Sequence, residues 1–232
     1  MNIVSRKRRL TSIPGVEQIM RITFPIKTMR VIFAALAVLA ASPCIAKDSG
    51  VDAKKKVRRY AKAHILPFVG HFDDLMSLCR DQNKLREKWP TYTEEWKEWG
   101  PEQAKSAADG YTKSEYLWTI AKDAGFRSKH LAGKIADRLR EFQNASNGAI
   151  AEIFVTDGRG GNIVQSGLTT DWFQGDEDKF TRAVGTKSLV LDEVQFDSSA
   201  QSTGIHVSVP MIDNHQVECV AIFLVVVEKI EK

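Results

Sequence analysis

The sequence predicts an α+β fold, with an antiparallel sheet of about five strands preceded by a long N-terminal helical segment. Three observations carry this. Apolar residues recur at helical spacing through much of residues 47–150. After residue 150 they change to the two-residue alternation of strands. Asn147-Gly148, a strong turn signal, stands at the changeover. The expected organisation is therefore residues 1–46 as a targeting segment, 47–150 helical, and 151–232 a sheet core, with 47–232 forming one structural unit.

The targeting reading rests on the run Val31-Ile-Phe-Ala-Ala-Leu-Ala-Val-Leu-Ala-Ala41. Its 11 residues fall short of the roughly 20 that a spanning helix needs. They fit the apolar region of a secretory signal, with Arg21, Lys27 and Arg30 before it and a small-residue cleavage site at Cys44-Ile45-Ala46. The stretch ahead of the run is long, so Met20 and Met29 compete with Met1 as the start. Arg8-Arg9 lies too far from the run, with Pro14 and Gly15 between, for twin-arginine export. Ser42-Pro43 is a poor approach to a lipidated Cys44, so a soluble periplasmic product is expected.

Charge follows from this division. The whole chain carries 33 Lys/Arg and 29 Asp/Glu. Residues 1–46 hold seven of the basic and one of the acidic residues, leaving 26 and 28. The basic balance thus belongs to the targeting segment and gives no support for nucleic-acid binding. Residues 47–150 hold 20 basic and 15 acidic residues, whereas 151–232 hold 6 and 13. Attraction between the two halves explains that asymmetry most simply. The sharper reading is acidic groups near a pocket that select a cationic or amine ligand.

The first helix should run from about Val51 into the eighties, through Tyr60, Ile65, Phe68, Phe72, Leu75, Met76 and Cys79, with Pro67 and Gly70 as kinks or breaks. The segment Trp89–Trp99 packs three tryptophans and Tyr92 into 11 residues, which suits anchoring to the body more than stacking on a ligand. A second helical stretch covers about Thr112–Asn147, with Gly125 and Gly133 as weak points. Ala151–Thr156 and Asn162–Ser166 form a hairpin about the turn Asp157-Gly-Arg-Gly-Gly161. Asp171 and Asp176 are N-cap candidates for a short helix through about Val184. Strands follow at about Leu189–Phe196, Gly204–Met211 and Gln216–Val227. Val220–Val227 is apolar on both faces, as a covered central strand would be.

Cys79 and Cys219 are the cysteines left after residue 46. An oxidising compartment permits a disulfide between them; two separate buried thiols is the other reading, and spacing does not choose. Among the five histidines no pair has the spacing of a metal motif, and His71 with Asp74 makes only two ligands, so no metal site is expected. Haem, redox, nucleophile-elbow and phosphate-loop motifs are absent from the sequence, so neither an enzyme nor a cofactor is expected.

Ile153-Phe-Val-Thr-Asp157 with the following glycines, Val164-Gln-Ser166, Thr169-Thr-Asp-Trp-Phe-Gln-Gly-Asp-Glu177 and Val207-Ser-Val-Pro-Met-Ile-Asp213 together resemble the Cache family of extracytoplasmic, PAS-like sensor domains, over about residues 135–228. The resemblance implies a PAS-like sheet and a pocket between the sheet and the loops and helix after the hairpin. It also implies a small metabolite as ligand: an amino acid, an amine or an organic acid. Trp172, Phe173 and Asp171 are the candidate pocket residues, with Gln165, Arg182, His206 and Ser208 as polar candidates. His215-Gln216 replaces a usual glycine in the last turn, and the insertion around residues 85–125 should cover or reshape the pocket. No output segment follows Glu228–Lys232, so the module is expected to act in trans on an inner-membrane signalling protein. The alternative is an envelope interaction module that binds no ligand and docks through Trp89–Trp99.

Overall fold

The computed structural model describes residues 44–230. The apolar run Val31–Ala41, the basic residues before it and the candidate starts Met1, Met20 and Met29 lie outside them. Among the described residues no helix is long and apolar enough to cross a membrane.

The described residues start with helix α1 (Cys44–Tyr60), continue through a π-helical turn at Ala61–Ile65 and end this rod in α2 (Leu66–Gly70). Val57, Ala61, Ile65 and Val69 are all buried, at strict four-residue spacing. In an α-helix each such step overshoots one turn by about 40°. The wider π turn takes back part of that overshoot and holds the stripe on the sheet. Pro67 is tolerated because it sits at the start of α2. The break falls after Gly70, and α3 (Asp73–Leu85) follows at a new angle with Leu75 and Cys79 inward.

The expected second helix is three helices. α5 (Tyr111–Thr119), α6 (Ala124–Leu131) and α7 (Lys134–Ala145) follow the short α4 (Pro101–Ser106). Asp123 caps α6 by accepting from the Phe126 amide at 2.6 Å, and Gly133, at φ +98°, turns the chain into α7. Gly125 is no weak point; it lies in the first turn of α6.

Among the described residues six strands form an antiparallel sheet: β1 (Ile150–Asp157), β2 (Asn162–Gln165), β3 (Val190–Leu191), β4 (Gln195–Asp197), β5 (Ser202–Asp213) and β6 (Gln216–Val225). The order is β2-β1-β6-β5-β3, with β4 on the other end of β5. The strand expected at Leu189–Phe196 is thus two, because Glu193 and Val194 swing out to solvent between them. The last tight turn puts Asn214 and His215 at φ +46° and +66°, so a histidine takes the left-handed position where glycine is favoured.

Alternation sorts the side chains. Ile153, Val155, Val164, Val207, Val209, Ala221 and Phe223 pack with the rod, α3 and α7. Phe154, Val190, Val220 and Ile222 pack with Phe180 and Ala183 of α8 (Asp178–Thr186) on the other face. β6 is buried from Cys219 to Val225, covered on both sides as its composition indicated. Sheet and helices belong to one unit, Ser42–Lys232. Across it run Lys54–Glu193, Arg80–Asp213 and Arg86–Asp157, each pairing a base of the helical half with an acid of the sheet half. Attraction between the halves therefore accounts for at least these charges.

Candidate ligand site

Asp157, at the end of β1, is fully buried and fully engaged. Its Oδ2 accepts from Arg86 Nη1 at 2.7 Å and from the Tyr111 hydroxyl at 2.9 Å. Its Oδ1 accepts from the amides of Arg159 and Gly161 at 2.9 and 3.0 Å. Arg86 also donates to the carbonyls of Gly161 and Asn162, both at 3.1 Å. Its guanidinium lies 5.0 Å from the Trp172 ring centroid and 5.1 Å from that of Trp89. Burial, then Asp157, pushes the Tyr111 hydroxyl upward and keeps it a donor. Gly161 must be glycine here: a Cβ would come within 2.6 Å of Trp172 and 2.7 Å of Tyr111.

The loop after β2 is clamped by α5 and α6. Glu115 Oε2 accepts from the amides of Trp172 and Phe173, at 2.9 and 2.6 Å. Trp118 donates to the Thr169 carbonyl at 2.9 Å. Trp172 Nε1 donates to His130 Nε2 at 2.9 Å, and His130 Nδ1 lies 2.9 Å from the Phe126 carbonyl. These partners fix His130 as the neutral Nδ1–H tautomer. Burial brings its pKa down to about 4.

A stability prediction follows. The unfolded histidine titrates near 6.5, so His130 stabilises the fold above that value and progressively less as pH falls toward 4. Between pH 7.5 and 4.5 wild type should lose about 2–3 kcal/mol more than His130→Gln, whose amide oxygen still accepts from Trp172. Urea unfolding at the two pH values measures this; equal losses would refute it.

Against these contacts the seven expected site residues separate into four groups. Trp172, 0% exposed, is a core residue whose amide and indole N–H groups are both engaged within the fold. Phe173 stacks on Tyr92 at 4.0 Å, and it lines a small recess of 180 Å³ together with Asp171. Neither Asp171 nor Asp176 caps α8; its N-cap is Glu177. Arg182 is exposed and paired with Asp192 at 3.0 Å, away from any ligand position the other candidates share. Gln165, His206 and Ser208 are buried on the α8 face of the sheet.

The larger cavity is elsewhere. A cleft of 790 Å³ opens between α3, α5, the α6–α7 junction and β2. Leu78, Leu85, Leu117, Phe126, Ile135, Ile163 and Val164 line it, and Arg86 and His130 border it from the buried network. Lys113, Lys129 and Lys134 with Asp74 and Asp109 supply its other charges. Lys113 is paired with Asp109 at 3.0 Å, so Lys129 and Lys134 leave a basic excess. None of the seven expected residues lines it. The insertion around residues 85–125 supplies much of the wall, and the resemblance has no counterpart for it. Of the aromatic segment Trp89–Trp99, Trp89 lines the cleft.

That segment packs inward. Trp96 is 8% exposed and donates to the Tyr92 hydroxyl at 2.8 Å, and Trp99 packs on Tyr116. Compared with known proteins, the chain matches no family model and no curated protein.

Proposed function

We propose that this chain is a periplasmic, PAS-like sensor module of Cache type that binds a small metabolite and does no catalysis of its own. The export reading of residues 1–46 supports the location, and the order helices, hairpin, helix, meander supports the family. The cleft carries the functional reading. Its 790 Å³ lies within the usual range for a small-molecule site, with apolar walls and few polar groups. Lys129 and Lys134 at its edge favour an organic acid with an apolar body over an amine.

Thermal-shift screening against organic acids, amino acids and amines tests this. An organic acid at a hundred times its Kd should stabilise the fold by about 2.7 kcal/mol. Leu117→Trp, which fills the cleft, and Lys129→Glu with Lys134→Glu, which reverses its charge, should each abolish the shift. A chain that no compound stabilises, or a shift that survives Leu117→Trp, would sink the reading.

A further inference from the structure

We propose that Glu152, Asp197 and His206 form a binding site for one divalent transition-metal ion of the zinc type. One ligand atom from each lies within 4.8 Å of the others. The site sits on the α8 face of the sheet. The cleft is lined by β2 residues that join the opposite core, so the two sites are separate.

Three strands assemble it. Glu152 is on β1, Asp197 ends β4 and His206 is on β5. Glu152 and His206 are 5% and 2% exposed. His206 Nε2 is buried and has no hydrogen-bond partner, although Asp197 Oδ2 lies only 3.2 Å away. The contact is close but off the line a hydrogen bond requires. An imidazole nitrogen and a carboxylate oxygen at that separation have the spacing of neighbouring ligands around one small ion.

The surrounding groups orient this set. Asp197 Oδ1 accepts from the amides of Ser199 and Ala200 at 2.9 and 3.0 Å, which turns Oδ2 toward His206. The Ser199 hydroxyl lies 2.8 Å from Glu152 Oε1 and 2.6 Å from Asp197 Oδ1. Its single proton can serve only one of them. Gln195 Nε2 lies 3.0 Å from His206 Nδ1. Turning that amide over lets its oxygen accept from Nδ1–H and leaves the Nε2 lone pair for a metal, the usual second-layer arrangement of a ligating histidine.

The Glu152 carboxylate is buried and the Asp197 carboxylate partly buried, and the two share one hydroxyl. Lys179 is the nearest competing cation, and its Nζ is held over the Phe154 ring at 5.7 Å from the centroid. One nitrogen and two carboxylate groups suit zinc with water completing the shell. They are too few oxygens for calcium.

The experiment uses the full chain stripped with EDTA and titrated with ZnCl₂ by calorimetry, with Co²⁺ absorption as a second readout. One zinc per chain, a raised melting temperature and a Co²⁺ visible spectrum are expected. Glu152→Gln keeps the Ser199 contact and the fold and should weaken zinc at least tenfold; His206→Gln should abolish binding. No zinc binding by wild type overturns the proposal. So does stoichiometric binding unchanged in a folded Glu152→Gln chain. Leu117→Trp should bind zinc normally, so failure of the metal site and failure of the ligand cleft are read separately.

Discussion

Reduction of the Cys79–Cys219 bridge is expected to destabilise the protein by about 4–5 kcal/mol. The structure joins the two cysteines, which the sequence left either bridged or apart, at a sequence separation of 140 and with Cα atoms 5.8 Å apart. Closing so long a loop removes much chain entropy from the unfolded state, and the chain-entropy relation gives about 5 kcal/mol. Two isolated thiols would contribute only their packing, which an alanine pair would lose at far smaller cost. Both positions are fully buried, Cys79 facing in from α3 and Cys219 on the central strand. For a chain of this size the melting temperature should fall by about 10–15 °C with reductant. Calorimetry with and without a phosphine reductant, and on Cys79→Ala/Cys219→Ala, gives the answer. A melt insensitive to reductant would show that the bridge is not made.

Arg86→Met should cost about 3–5 kcal/mol. Arg86 is 4% and Asp157 0% exposed, so the substitution strands a carboxylate inside the protein with only Tyr111 and two amides to hold it. The carbonyls of Gly161 and Asn162 lose their donor as well. Removing both charges in Arg86→Met/Asp157→Asn should recover part of the loss, because the stranded charge is then gone. Urea denaturation of the single and double variants completes the cycle. Additive losses would mean that the pair is not coupled. Arg86 also borders the cleft, so the single variant should weaken ligand binding beyond its effect on stability.

What could be read in advance follows contact range. The hairpin about Asp157, the covered last strand and the final turn are local patterns, and the structure has them where the residues placed them. The breaks in residues 112–147 were harder. They depend on Asp123 capping and on Gly133 taking a positive φ, while Gly125, the other weak point named, is helical. β3 and β4 read as one strand because they are short and close in sequence, with only two and three residues paired to β5. The site was least legible. Asp157 reads as a turn residue, and nothing local says that Arg86, 71 positions earlier, will pair with it. Trp172 looked like a pocket wall because aromatic residues build pockets. The helices that enclose it come from a segment whose placement no spacing rule gives. Glu152, Asp197 and His206 likewise have no motif spacing; only the strand register collects them.

The place of β6 in the sheet has a consequence for the order of events in folding. It is the last strand in the chain yet lies between β1 and β5, and it also carries Cys219. The β1–β2 hairpin and the β3–β5 part have no pairing with each other until β6 arrives. A chain emerging N-terminus first therefore cannot close its core before about residue 225 is free. Until then it holds helices, the β1–β2 hairpin and the short pairings of β3 and β4 with β5, a state of little stability and easy to thread or unfold. Completion is then a single late step of high sequence separation, slow on the scale of helix formation.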